Sequence, residues 1–262
     1  MADILEEIIN HKRKEVENYK KELSPSIIHI QVEALMTSRV PSFSKALTDS
    51  DTGIIAELKR KSPSKGWINE HCDVDKVLSN YASAGAAAVS ILTDEKFFGG
   101  SHAYMVMASR KKLGIPMLYK NFIIDEYQLY QARRSGASAV LLIAACLSKS
   151  ECKALIEKTH QLGMEVLLEM HSEEELEYAE LEPDMYGINN RNLGTFITDV
   201  QNSYRLAELL PRDAVKVSES GISNPKTVRE LRNAGFKGFL IGETFMKTED
   251  PGKALKNFID RI

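Results

Sequence analysis

Cysteine is scarce. Cys72, Cys146 and Cys152 are the only three in 262 residues, and they lie on no metal-type spacing. So sparse and odd a count excludes a disulfide framework and fits free thiols in a reducing compartment. Long apolar runs are missing too: none reaches the ~18 residues a membrane span needs. There is no excess of one charge. Basic side chains number 34 and acidic ones 37, for a formal charge of −3. That argues against broad nucleic-acid binding and leaves room for a local basic pocket. GxGxxG, a Walker loop and Ser–His–Asp spacing are all absent. So are low-complexity segments and linkers, so one domain over residues 1–262 is expected. The opening MADILEEIINHKRKE is acidic and amphipathic, unlike a signal peptide. These absences together predict a soluble, cytoplasmic protein.

What is present is a rhythm. Apolar residues make up 43% of the chain, enough for a full core. Residues 1–47 read as a helical extension, with Ile4, Leu5 and Ile8 on one stripe and Ser24-Pro25 as a stop. From residue 53 on, short apolar runs alternate with amphipathic helices. The runs are IIAELK, AVSILT, PMLYK, AVLLI, MEVLLEM, YGIN, VKVSES and GFLIGE. Runs apolar on both faces indicate parallel strands, buried on both sides. Helix signals sit between them. Asp125 opens one helix, and Ser148/Glu151 and Ser172/Glu175 read as capping boxes. Asn224-Pro225 and Asp250-Pro251 place a cap before a first-turn proline. A weak echo, NYASAGAAAVSIL, QARRSGASAVLLI and LRNAGFKGFLI, repeats helix end, glycine and buried strand. The pattern predicts an α/β fold, a (β/α)8 TIM barrel with an N-terminal helical extension. The rival is an open doubly wound sheet.

A barrel keeps its active site at the C-terminal ends of its strands. Read in order, those ends carry Glu57 and Lys59, then Thr93, Lys120, Glu169, Asn189 with Arg191, Glu219, and Gly242. Strand alternation puts Glu57 and Lys59 on the face of Ile55, opposite Ile54, Ala56 and Leu58. Any one such group is readily a structural ion pair. Polar groups from five strands converging on one rim point to a site. Gly221 and Gly242 follow the last two strands, where barrels often hold phosphate on backbone N–H groups. Phe98, Phe122 and Trp67 lie on loops after early strands, as loop packing or as a place for a flat ligand. His171 shares a face with Glu169, which admits a metal pair but offers no obvious third ligand. His11, His29, His102 and His160 read as surface or helix residues, and HKRK (11–14) as a solvated helix face.

The motifs IIAELKRKSPSKG, SILTDEKFFGGS, YKNF, VLLEM, GINNRNL, VSESGIS and FLIGETFM, in this order, resemble the indole-3-glycerol phosphate synthase family. That resemblance implies a carboxy-lyase of tryptophan biosynthesis. Its substrate would be 1-(2-carboxyphenylamino)-1-deoxyribulose 5-phosphate. Its products would be indole-3-glycerol phosphate, carbon dioxide and water. By the same resemblance Lys120 would protonate the carbonyl oxygen and Glu169 would be the general base. Lys59 would contact the substrate carboxylate and is a candidate acid for loss of water; which lysine serves which step stays open. Glu57, Asn189 and Glu219 would orient these groups. Ser62, Phe98, Phe122 and Arg191 would line the anthranilate side, and Ser220, Gly221, Gly242 and Glu243 the phosphate loops. No cofactor or metal is implied. The only partner expected is the phosphosugar–anthranilate substrate, with no nucleic acid and no membrane, and the chain is expected to be a monomer. Two positions depart from the family: Asn121 stands where Asp is common, and Glu243 where some members have serine. Two rivals remain, an isomerase of the related phosphosugar barrels and a catalytically silent scaffold.

Overall fold

The computed structural model describes residues 4–192 and 194–262. Helix α1 (Ile4–Glu22) carries Glu6 and Glu7 in its first turn and Lys20 and Lys21 in its last, as the helix dipole favours. Helix α2 (Pro25–Glu33) starts with Pro25 at its first position, behind Ser24. Helix α3 (Phe43–Asp49) is capped by Ser42, whose Oγ accepts from the Lys45 N–H at 3.1 Å.

Eight barrel strands follow, beside a short antiparallel pair (Lys61–Ser62 with Gly66–Trp67): β1 (Ile54–Leu58), β2 (Ala88–Leu92), β3 (Met117–Lys120), β4 (Ala139–Ile143), β5 (Glu165–Met170), β6 (Met185–Asn189), β7 (Lys216–Glu219) and β8 (Phe236–Ile241). Each pairs in parallel with the next, and β1 closes on β8 through Ile54↔Phe239 and Ile55↔Leu240. The sheet is therefore a closed barrel. The open-sheet rival is excluded.

Between the strands run α4 (Val74–Ser83), α5 (Glu95–Phe98), α6 (His102–Lys111), α7 (Glu126–Arg134), α8 (Lys149–Gln161), α9 (Gln201–Ala207), α10 (Pro225–Asn233), α11 (Glu243–Met246) and α12 (Pro251–Ile259). The capping box at Ser148 forms, as do the caps at Asp125, Asn224 and Asp250. The one read at Ser172 does not. The Glu175 carboxylate turns back instead to the His171 N–H at 2.7 Å, and Glu174–Leu181 winds as a 3₁₀ helix.

Alternation along each strand separates two cores. Ile54, Ala56 and Leu58 face the surrounding helices, with Val89, Val140 and Val166 beside them. Ile55, Leu118, Leu141, Leu167, Val217 and Leu240 fill the barrel interior, where Phe43 and Leu47 of α3 join them. With aliphatic side chains filling the middle, the polar ends of the strands are left at the opposite mouth from α3. Among the described residues no helix is long and apolar enough to cross a membrane.

Candidate active site

Lys120, the last residue of β3, points into the barrel mouth. Its Nζ is 3.0 Å from Glu169 Oε2 on β5 and 3.1 Å from Glu219 Oε2 on β7. Glu169 Oε1 accepts from Asn189 Nδ2 at 3.1 Å. Neighbouring strands set this contact: Asn189 is in register with Glu219, and Glu169 with Gly187. Gly187 makes the room. A Cβ there would fall 2.5 Å from Glu219 Oε1, so any larger residue would displace the carboxyl.

The two carboxyls beside Lys120 are driven apart. Burial raises both. For Glu169 the charge of Lys120, with His171 and Asn189, outweighs burial and holds it well below the usual carboxylate range. Glu219 has Lys120 alone, its Oε1 has no protein partner, and the charge of Glu169 stands next to it. Burial with that neighbour pushes Glu219 up to about 8. Burial would lower Lys120, but Glu169, Glu219 and Glu57 together hold it well above the usual lysine value. The cluster therefore sets a lysine that holds its proton tightly beside one glutamate shifted down and another shifted up. Such divergence within one cleft is a mark of acid–base sites.

Lys59 lies just beyond β1, 3.8 Å from Glu57 Oε2 and 5.7 Å from the centre of the Phe98 ring. Burial lowers it; Glu57 opposes, and the nearby charges of Arg191 and Lys120 add to the fall. The Phe98 and Phe122 rings lie 5.9 Å apart. Ser62 is buried, with no protein partner for its hydroxyl. Across the mouth, Glu243 at the start of α11 pairs with Lys65, and Arg191 lies 4.0 Å from it. Ser220 and Gly221 both adopt left-handed backbone, φ 68° and 76°. For serine this costs on the order of 1–2 kcal/mol, a strain found mostly at functional turns. All these side chains border one cavity of about 460 Å³, and so do Gly242 and Asn121.

Every residue to which the family resemblance gave a role thus lines the same cavity, while Thr93 and His171 lie outside its lining. So does Trp67, which packs its ring on Arg60 and Lys61. The HKRK run is solvated at Arg13 and Lys14 but not at Lys12. Lys12 is wholly buried and pairs with Asp94 at 2.8 Å and with Glu15. His102 is a helix residue, as read, at the start of α6; its ring lies 3.2 Å from the Tyr119 hydroxyl, and burial lowers it to about 4. The cavity also includes Ile8, Lys65, Phe196, Thr198 and Lys247, none of them picked out in advance. Lys65 had a visible signal, lying in the same basic stretch as Lys59. Ile8 had none, because nothing local says where α1 packs. Asn121 donates to Thr93 Oγ1 at 2.7 Å and accepts from the Phe122 N–H at 2.8 Å. It holds the loop without adding a charge beside Lys120.

A family model described as indole-3-glycerol phosphate synthase matches residues 5–258. A protein of that name from Bacteroides thetaiotaomicron is 56% identical over 262 residues, covering 100% of both chains. Another, from Caldanaerobacter subterraneus, is 42% identical over 99% of this chain and 98% of its own. Among solved structures, a thiamine phosphate pyrophosphorylase from Pyrococcus furiosus superposes with a TM-score of 0.60 at 15% identity, over 80% of this chain and 95% of that one. A chain of the tryptophan synthase α2β2 complex from the same organism gives 0.59 at 14% identity, over 81% and 97%. At such identities these two likenesses carry the fold alone.

Proposed function

Because the chain belongs to the indole-3-glycerol phosphate synthase family, the carboxy-lyases that close the indole ring in tryptophan biosynthesis, we propose that Lys120 and Glu169 are its acid and base. The reaction converts 1-(2-carboxyphenylamino)-1-deoxy-D-ribulose 5-phosphate to indole-3-glycerol phosphate, carbon dioxide and water. The observation that carries the assignment is the Lys120 contact with Glu169 and Glu219 at 3.0 and 3.1 Å, at the floor of the cavity.

Ring closure forms a carbon–carbon bond between the aromatic ring and the ketone carbon. The ketone oxygen gains negative charge as it does so. Lys120, held charged among carboxylates, gives that oxygen a proton. Carbon dioxide leaves from the same aromatic carbon and returns its electron pair to the ring. Glu169, ionised and within 3.0 Å of Lys120, takes a proton from the ring methylene beside nitrogen as the hydroxyl departs and aromaticity returns, leaving the N–H in the product. Water leaves once that hydroxyl is protonated. Lys59, whose burial lowers its proton affinity, suits the donor role and also matches the substrate carboxylate.

Glu57 holds Lys59, and Asn189 and Glu219 hold Glu169 and Lys120. Phe98 and Phe122 flank the anthranilate ring, with Ser62 and Arg191 on the same side. Phosphate meets the turn Ser220-Gly221 and the start of α11 at Gly242 and Glu243, which have no side-chain cap. The whole chain acts as one domain, α1 included, since Ile4, Leu5 and Ile8 line the cavity. We further infer a cytoplasmic monomer, a location in keeping with its three free thiols.

Lys120→Ala and Glu169→Gln are each expected to lower kcat by at least ~100-fold, the usual weight of general acid–base catalysis. Near-normal turnover in both, in folded protein, would sink the assignment.

A further inference from the structure

His171 follows β5, two residues beyond Glu169 and on its face. Its ring is buried. Nε2 lies 3.2 Å from Glu169 Oε1, within ion-pair reach but out of line for a hydrogen bond, and Nδ1 lies 3.3 Å from Glu175 Oε2. Glu175 grips the same residue a second time through the His171 N–H at 2.7 Å. From α9, Asn202 Nδ2 donates to the His171 carbonyl at 3.0 Å and to that of Asn189 at 3.2 Å. The ring thus meets Glu169 and Glu175, while Glu175 and Asn202 of α9 hold the backbone of the same residue. Yet it is not among the side chains that border the cavity.

We propose that His171, held in turn by Glu175, is a positioning residue for the reaction, fixing the Glu169 carboxylate through the oxygen that Lys120 does not use. The proposal rests on Glu169 being the general base. Lys120 must turn from Glu169 toward the ketone oxygen as it delivers its proton. At that moment Glu169 loses its main partner at Oε2. Asn189 and His171 remain on Oε1, so the carboxylate keeps its orientation through the step.

Charge points the same way. Burial disfavours a charged imidazole, but the two carboxylates outweigh it and raise His171 to about 10. Glu169 and Glu175 are the titratable groups facing the ring; α9 presents only the neutral Asn202. A cation behind the base keeps it ionised while Lys120 is away. Among the described residues no group of three or more His, Cys, Asp or Glu side chains is arranged to hold a metal ion.

The test compares kcat and KM against pH for the wild type, His171→Gln, Glu175→Gln and Glu169→Gln. With His171→Gln the base loses a cation within ion-pair distance. Its acid limb should move to higher pH by about one unit or more. At the optimum, kcat should fall about tenfold, less than removal of a general base costs, with KM little changed. Glu175→Gln should move the limb the same way by less. A limb that stays in place, or a loss equal at every pH, would overturn the proposal, since a purely structural defect gives that pattern. Should His171→Gln not fold, the limb in the partly exposed Glu175→Gln variant decides alone. Full turnover in Glu169→Gln would remove Glu169 as base and this proposal with it. An inactive Glu169→Gln beside an unmoved His171→Gln limb would remove the positioning role only.

Discussion

Glu219 and Glu169 show how two identical side chains, both contacting one lysine, come to different states. Glu169 has Lys120, Asn189 and His171; Glu219 has Lys120 alone. The upward shift of Glu219 lessens the negative charge beside Lys120. As pH rises through about 8, Glu219 ionises and binds the Lys120 proton more tightly, which weakens the acid. The expected outcome is an alkaline limb in kcat/KM near that pH, flattened in Glu219→Gln. That variant should also lose less activity than Glu169→Gln, because glutamine mimics the neutral acid. Equal losses, with the limb unchanged, would place the raised group elsewhere. Sequence carried most of this scale. The period of two along a strand put Glu57 and Lys59 on one face, and they lie 3.8 Å apart. It could not tell the states of Glu169 and Glu219, which depend on partners from other strands and on the space left by Gly187.

Elements were legible where their signals are local and less so where they are tertiary. The cap residues and first-turn prolines of α8, α10 and α12 read correctly because a cap is decided within four residues. Ser172 and Glu175 had the same spacing and failed, since the backbone of His171 offered Glu175 a nearer donor. The larger misreading was α1. Its basic run looks solvated in one dimension, but its partner Asp94 lies in the turn after β2, far along the chain. The Lys12–Asp94 pair is fully buried and ties α1 across the mouth of the barrel. Asp94 also caps α5, accepting from the Phe97 N–H at 2.8 Å, next to Phe98 in the cavity. Lys12→Ala would leave Asp94 buried and unpaired, at a cost of about 3–5 kcal/mol. Urea denaturation should register that loss, along with a raised KM as α1 loosens from the site. A change within about 0.5 kcal/mol, the range of ordinary surface substitutions, would mean the pair is not the anchor.

At the scale of the molecule, the barrel follows from repetition. Eight runs apolar on both faces, each separated by a helix, admit few architectures, and the closing pair β1–β8 is the feature no local pattern displays. Closure gathers the strand ends on one rim. It is why residues scattered from Glu57 to Glu243 border one cavity. α3 closes the other end with Phe43 and Leu47, so the interior is aliphatic below and charged above. That gradient sets the chemistry: a dry floor keeps Lys120 and its carboxylates strongly coupled, while the open rim admits an anionic substrate.

The central claim is that these side chains alone supply the acid and the base for ring closure. The most direct measurement is turnover of the carboxyphenylamino-deoxyribulose phosphate by exhaustively chelated wild-type protein, followed through the fluorescence of the indole product. Full activity after chelation is expected. Activity lost to the chelator and restored by a divalent metal would contradict the account and make the Glu169–His171 pair a metal site.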